Sequence, residues 1–143
     1  MRILVLCTGN TCRSQMAGAF LKSMYPEWEV YTAGTRPGLR INPLTVEVMR
    51  ENGIDLSGES PSDVRQYLHM PFDVVLTVCS DAEKECPVFA GEVRLRLHQP
   101  FDDPAACKGD AETCLSVYRR VRDEIEEFVR NLPSLIGMKP ENF

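Results

Sequence analysis

The feature that most constrains the fold lies near the start of the chain. There a short apolar run, a polar loop and a predicted helix follow one another. Residues 3–6 are apolar and predict a buried strand, and the loop begins directly after them. The loop has the sequence Cys7-Thr8-Gly9-Asn10-Thr11-Cys12-Arg13-Ser14. A loop between a strand and the N-terminus of a helix directs backbone N–H groups and partial positive charge to one point. This pattern predicts a cradle for a tetrahedral oxyanion.

Two side chains of this loop predict chemistry as well as binding. The planar guanidinium of Arg13 can hold two oxygens of an anion. The positive field of the loop favours the thiolate of Cys7, which makes that cysteine a candidate nucleophile. Gly9 and Asn10 suit the positive φ angles that such a loop needs. The alternative, an inert cysteine at a strand end beside a surface arginine, does not account for this combination.

The rest of the chain alternates short apolar runs with helical periodicity, which is typical of βαβ units. The predicted strands are residues 3–6, 28–32, 72–78 and 93–97, and the last helix spans residues 112–132 and ends at Pro133. With right-handed crossovers, these elements predict an α/β, flavodoxin-like, doubly wound sheet of four parallel strands, ordered 2-1-3-4, with helices on both faces. We expect a single catalytic domain at residues 1–136 and a loosely held tail at residues 137–143.

This strand order predicts where reactive side chains meet. Strands one and three become neighbours whose connections leave in opposite directions, and ligands bind outside the carboxyl ends of strands at such a point. Cys7 lies just past strand one, Cys79 lies just past strand three, and Asp103 follows strand four after a short loop. We therefore expect these three groups to converge on one crevice. The alternative for Cys79 is a small apolar residue that only packs at the end of a core strand.

Composition excludes several classes of function. A net charge of −5 argues against a nucleic-acid-binding surface, and no apolar run has the length of a membrane span. Without an N-terminal export signal, we expect a cytoplasmic protein rather than a secreted disulfide framework. The six cysteines contain no Cys-x-x-Cys pair, and His69 and His98 are isolated, so no metal site is predicted.

The chain resembles the thioredoxin-coupled arsenate reductases, which share their fold with the low-molecular-weight protein tyrosine phosphatases. The matching segments are residues 7–17, 79–82 with Cys86-Pro87, 101–105 and 118–125. The pair Cys79 and Cys86 distinguishes a reductase, because a phosphatase does not need it. The resemblance implies the catalytic residues Cys7, Arg13, Ser14, Cys79, Cys86 and Asp103, and an oxyanion loop of Thr8, Gly9, Asn10, Thr11, Cys12 and Arg13.

The same resemblance implies a thiol relay. Cys7 would attack the arsenic of arsenate, Ser14 would donate a hydrogen bond to its thiolate, and Asp103 would protonate the departing oxygen. Cys79 would then attack Cys7 and release arsenite, and Cys86 would attack Cys79 in turn. Thioredoxin would reduce the resulting disulfide, with glutaredoxin left open as another electron donor. No tightly bound cofactor is implied.

Geometry makes this relay demanding. If residues 80–86 are helical, Cys79 and Cys86 lie about 10.5 Å apart along the helix axis. A disulfide requires Cα atoms within roughly 7 Å of each other. We therefore predict that oxidation unwinds this polar segment.

Two departures from the family pattern argue against a potassium site. Gly18 stands where many of these reductases carry a glutamate that helps to bind the ion, and Pro61 replaces a threonine. Asp63 still fits such a site.

The remaining candidate residues leave alternatives. Cys12 can pair with Cys7 under oxidation, but we favour packing behind the loop. Asp102 is a second candidate acid, and we favour Asp103 because it directly precedes Pro104, as the acid of the family does. Cys107 and Cys114 have the same seven-residue spacing as the relay pair. Because nothing places them beside Cys7, we expect them only to pack.

Two other functions compete with arsenate reduction. A phosphatase for phosphotyrosine or a small phosphoester would use Cys7, Arg13 and Asp103. Ala105 and Ala106 stand where such phosphatases usually carry aromatic residues, which favours a small inorganic anion instead. A redox-sensing binding protein without catalysis does not explain the placement of Arg13 and Asp103.

Overall fold

The computed structural model describes residues 1–137. The strands are β1 (Arg2–Cys7), β2 (Glu29–Gly34), β3 (Phe72–Thr77) and β4 (Val93–His98). They form one parallel sheet with the order β2-β1-β3-β4. The helices are α1 (Arg13–Met24), α2 (Pro43–Glu51), α3 (Ser80–Glu85) and α4 (Ala111–Leu135), with 3₁₀ turns at Val64–Tyr67 and Pro104–Ala106. The predicted fold class and strand order are confirmed. No helix among the described residues is both long and apolar enough to cross a membrane.

Strand β1 occupies the centre of the sheet and positions the oxyanion loop. It pairs in parallel with β2 on one side and with β3 on the other, and Leu6 lies opposite both Ala33 and Thr77. The side chains from Ile3 to Leu6 are completely buried. Because successive side chains of a strand point to opposite faces, both faces of the sheet are covered at this strand. The rigid end of β1 therefore fixes the place where the loop begins.

Strand β4 forms one edge of the sheet, as its sequence predicts. Val93 and Leu97 are half-buried, whereas Arg94 and Arg96 are exposed. Charged side chains at alternate positions are typical of an edge strand, where one face meets solvent.

The last helix corrects one expectation from the sequence. Helix α4 continues through Pro133 to Leu135, although a proline ordinarily ends a helix because it lacks an N–H group. The carbonyl that loses its helical partner at Pro133 belongs to Val129. The hydroxyl of Tyr25 donates to that carbonyl at 2.8 Å and so replaces the missing N–H group. Of the predicted tail, only Gly137 belongs to the described residues.

Candidate active site

Asn10 fixes the shape of the loop between β1 and α1. Its backbone adopts a φ of +55°, and the residue is completely buried. Its side-chain oxygen accepts from the amide of Ser62 at 2.8 Å, and its side-chain nitrogen donates to the hydroxyl of Ser14 at 2.7 Å. The positive φ predicted for Asn10 is confirmed. The same prediction is wrong for Gly9, because only Gly53 and Gly137 are left-handed among the described glycines.

A neighbouring segment, residues 34–42, binds the loop from outside through its backbone. Amides of this segment donate to loop carbonyls: Thr35 to Cys7, Arg36 to Thr8, Gly38 to Gly9 and Asn42 to Thr11, at 2.9–3.2 Å. The N–H and carbonyl groups of one peptide point in opposite directions. The loop N–H groups therefore face away from this segment, as an anion cradle requires. This support was not predicted from the sequence. Its local signal is Gly34, where a Cβ atom would lie 2.4 Å from the Thr8 carbonyl.

Arg13 reaches from the start of α1 across the loop. Its Nη1 donates to the carbonyl of Phe101 at 3.0 Å, and its Nη2 lies 3.7 Å from Oδ2 of Asp103. Only 14% of its side chain is exposed. Its Nε is buried and has no hydrogen-bond partner within residues 1–137. A buried guanidinium with an unused donor suits an oxyanion held in the loop.

The two neighbouring carboxylates after β4 point to different partners. Asp103 faces Arg13, and its Oδ1 accepts from the amide of Ala105 at 3.0 Å, which caps the 3₁₀ turn. Asp102 lies 3.1 Å from the guanidinium of Arg120 on α4. Of these two acids, Asp103 therefore lies beside the oxyanion loop.

Cys7 and Cys79 form a pair of interacting thiols at the ends of β1 and β3. Both are free cysteines and almost completely buried, with 4% and 3% exposed. Each thiol is the largest influence on the pKa of the other, and the hydroxyl of Thr8 lies 3.3 Å from Sγ of Cys79. The convergence expected for Cys7, Cys79 and Asp103 is present in the structure.

The interaction between the two thiols moves their pKa values in opposite directions. The hydrogen bond to Cys79 and burial raise the pKa of Cys7, although the charge of Arg13 opposes them. The pKa of Cys79 falls to about 5, because its sulfur accepts hydrogen bonds from Cys7, from Thr8 and from the amide of Ala82. Two thiols that interact in this way titrate as a pair, and the first proton is lost from the pair as a whole.

Ser14 and Cys12 lie behind the loop. Ser14 is completely buried and accepts from Asn10, so its hydroxyl hydrogen is directed elsewhere. Its donation to Cys7 stays a prediction. Cys12 is 5% exposed, and burial raises its pKa to about 12. This environment agrees with the packing role that we favoured for Cys12.

Cys86 is separated from the thiol pair by helix α3. It directly follows Glu85, the last residue of α3, and is half-buried. Its Sγ lies 3.5 Å from the carbonyl of Pro87. Residues 80–85 are helical, so the condition for the geometric argument on the relay is met over these residues.

Cys107 and Cys114 form a disulfide, so the expectation that they only pack is wrong. Their Cα atoms lie 5.6 Å apart. Seven residues within one helix would hold them too far apart, but Cys107 precedes α4 and the chain turns back at Asp110, the N-cap of that helix. The disulfide ties α4 to the 3₁₀ turn that begins after Asp103.

The residues that the resemblance places near a potassium site have other neighbours in this structure. A Cβ atom at Gly18 would lie 2.3 Å from a methyl carbon of Thr32, so a longer side chain there requires Thr32 to shift. Both carboxylate oxygens of Asp63 bind Arg65, which lowers the pKa of Asp63 to about 2. Within residues 1–137 no group of three His, Cys, Asp or Glu side chains is arranged to hold a metal.

Comparisons with known proteins agree with this fold. A parallel sheet in this order, with a cysteine-to-arginine loop after its first strand, defines a class of cysteine-dependent oxyanion enzymes. The chain belongs to the family of low molecular weight phosphotyrosine protein phosphatases, whose model matches residues 2–141. An arsenate reductase of Shouchella clausii is 45% identical over 124 residues, which are 86% of this chain and 88% of that protein.

Solved structures of both branches of the family resemble the chain. A structure described as an arsenate reductase in oxidized state has a TM-score of 0.78 at 26% identity, covering 95% of this chain and 98% of that one. A low molecular weight protein tyrosine phosphatase from Bacillus subtilis has a TM-score of 0.74 at 29% identity, covering 94% and 95%. The fold is thus common to both activities, and the cysteines must distinguish them.

Proposed function

We propose that this protein is an arsenate reductase that uses Cys7, Cys79 and Cys86 in sequence. The observation that carries the proposal is the meeting of two free, buried thiols, Cys7 and Cys79, at the ends of the paired strands β1 and β3 beside Arg13. A phosphatase needs one nucleophilic sulfur, whereas a reductase needs a second sulfur within reach of the first. The 45% identity to an arsenate reductase supports the same choice.

In the first step, the thiolate of Cys7 attacks arsenic, and one arsenate oxygen leaves as water after protonation by Asp103. The shared proton of the thiol pair moves from Cys7 to Cys79, which frees the first nucleophile. The loop N–H groups and Arg13 hold the remaining oxygens as charge redistributes. Ser14 stabilises the Cys7 thiolate by a hydrogen bond.

In the second step, Cys79 passes the proton that it took from Cys7 to an oxygen of the departing arsenite, and its thiolate attacks the sulfur of Cys7. The new S–S bond forms as the S–As bond breaks, and the electron pair of that bond stays on arsenic. Arsenic is reduced by two electrons to arsenite, and the two cysteines are oxidised to a disulfide. Cys86 then attacks Cys79 and displaces Cys7 as a thiolate, which leaves the Cys79–Cys86 disulfide.

Thioredoxin is the proposed electron donor, and the cytoplasm the proposed location. A relay that ends in an internal disulfide needs a dithiol, which supplies two electrons and two protons. Cys7, Cys12, Cys79 and Cys86 are free thiols, which a reducing compartment preserves.

The experiment is arsenate-dependent oxidation of NADPH in the presence of thioredoxin and thioredoxin reductase. We expect sustained turnover by the native chain, and one arsenite per chain by Cys86→Ser. A double variant, Cys107→Ser with Cys114→Ser, removes cysteines outside the relay and should continue past the first cycle. Absence of arsenate turnover, with phosphoester hydrolysis unaffected by Cys86→Ser, would assign the protein to the phosphatases. Turnover with glutaredoxin in place of thioredoxin would identify glutaredoxin as the electron donor.

A further inference from the structure

A cavity of about 290 Å³ opens beside the edge strand β4, apart from the oxyanion loop. It is lined by Val75, Thr77, Cys86, Arg96, Leu97 and His98. Cys86 therefore faces a chamber of its own, in which Arg96 is the permanent cation. The proposed relay accounts for Cys86 but leaves Arg96 without a role.

The side chain of Arg96 is held close to the segment that follows Cys86. Its guanidinium carbon lies 5.5 Å from the centre of the Phe89 ring, an arrangement that stabilises a cation over an aromatic face. Phe89 is buried, with 7% exposed, so it offers a fixed platform. The contact with Phe89 thereby gives the guanidinium of Arg96 a defined position beside the cavity.

The other charged groups near Cys86 have different partners. His98 also lines the cavity, and its Nδ1 lies 2.7 Å from the hydroxyl of Thr77. The carboxylate of Glu85, next to Cys86 in the chain, is bound by Arg36. Burial raises the pKa of Cys86, and the charge of Arg96 opposes this effect.

We propose that Arg96 is a positioning residue that stabilises the thiolate of Cys86 for its attack on Cys79. The inference rests on the proposed function, because only the relay requires Cys86 as a nucleophile. In that step the Cys86 thiolate forms a bond to the Cys79 sulfur, and Cys7 leaves with the electron pair of the broken S–S bond. A nearby guanidinium increases the fraction of Cys86 that is ionised at neutral pH.

Arg94 provides a matched control on the same strand. It is two residues from Arg96 and exposed like it, and it lies 3.9 Å from both Asp73 and Glu92. It does not line the cavity. Neutralising Arg94 therefore changes the net charge by the same amount without removing the cation that faces Cys86.

The test is the pH dependence of alkylation by iodoacetamide, followed for Cys86 and Cys79 by peptide mass spectrometry. We expect Arg96→Gln to raise the midpoint of Cys86 alkylation, with a thiolate fraction at pH 7 about three- to tenfold lower. Arg96→Lys should restore the midpoint, and Arg94→Gln should leave it at the native value. The midpoint of Cys79 should be the same in all of these chains.

Two results would overturn the inference. One is an unchanged Cys86 midpoint in Arg96→Gln, and the other is an equal shift in Arg94→Gln. The arsenite assay separates the role of Arg96 from the proposed function. Arg96→Gln should keep the single-cycle release of arsenite and slow only later cycles. If the native chain releases no arsenite, the relay fails, whereas the alkylation result still decides the effect of Arg96 on Cys86.

Discussion

Arg36 binds the carboxylate of Glu85 with two hydrogen bonds, at 2.7 and 3.2 Å, across 49 residues of chain. The hydroxyl of Thr35 donates to the same carboxylate at 3.1 Å. The amides of Thr35 and Arg36 also bind the carbonyls of Cys7 and Thr8. One short segment thus holds the oxyanion loop and the end of α3, the helix that must open in the relay.

Removing this contact should loosen α3. Because exposed ion pairs contribute up to about 1 kcal/mol, Arg36→Gln should speed hydrogen exchange of amides 80–86 by up to about fivefold. The Cys79–Cys86 disulfide should also form faster. Arg40→Gln, an exposed change in the same segment, is the control. Equal exchange in both variants would show that Glu85 does not restrain the helix.

Oxidation should unwind α3. The bond between Cys79 and Cys86 requires their Cα atoms to approach within roughly 7 Å, which a continuous helix prevents. We expect amides 80–86 to lose their protection from hydrogen exchange when the native chain is oxidised by arsenate. Cys86→Ser, treated identically, should keep its protection. The same protection in the reduced and oxidised native chains would contradict this prediction.

Asp103, and not Asp102, should act as the general acid. Asp103→Asn should slow the single-cycle release of arsenite by about 10²-fold or more, since proton transfer by a positioned acid contributes that much. Asp102→Asn removes the same charge one residue away, where the carboxylate binds Arg120 instead. Rapid-quench measurement of arsenite distinguishes the two. Similar losses in both variants would indicate a general effect of charge.

The low pKa of Cys79 should depend on Cys7. At pH 6 the native Cys79, with a pKa of about 5, is largely thiolate. Cys7→Ala removes the strongest donor to that thiolate, so the pKa of Cys79 should rise and its alkylation at pH 6 should slow roughly tenfold or more. Cys12→Ala is the control for loss of a neighbouring thiol. Unchanged alkylation of Cys79 after Cys7→Ala would show that another group lowers the pKa of Cys79.

The Cys107–Cys114 disulfide should stabilise the fold. Closing a loop of this length lowers the entropy of the unfolded chain and contributes about 2 to 3 kcal/mol. Dithiothreitol should therefore lower the guanidinium midpoint of the oxidised native chain. The double variant with serine at both positions should unfold at that lower midpoint with or without the reductant. If dithiothreitol leaves the guanidinium midpoint of the native chain unchanged, the disulfide is absent in solution.

The strands and the crevice were predictable because their signals are local. An apolar run, a polar loop and a helix start within 14 residues of the N-terminus identify the oxyanion site without knowledge of the rest. The parallel order then brings Cys79 to Cys7, since both follow neighbouring strands.

Features that depend on distant partners were not predictable in this way. The pKa of Cys79 is lowered first by Cys7 and then by Thr8, and both of these residues lie more than 70 positions away in the chain. Helix α4 passes Pro133 because the hydroxyl of Tyr25 donates to the carbonyl of Val129, which is 104 residues away in the chain. The pairing of Cys107 with Cys114 depends on a turn that begins outside the helix. No periodicity in the sequence contains these contacts.

The exposed edge of the sheet at β4 can promote self-association. An unpaired strand presents free N–H and carbonyl groups, and a second copy of the chain can add its own strand there and begin a fibre. Covering the edge with another helix would prevent this but would also close the cavity beside Cys86. The charges of Arg94 and Arg96 offer another solution, because two such edges repel each other. The side chain assigned above to thiol chemistry thus also places a charge on the exposed edge strand of the sheet.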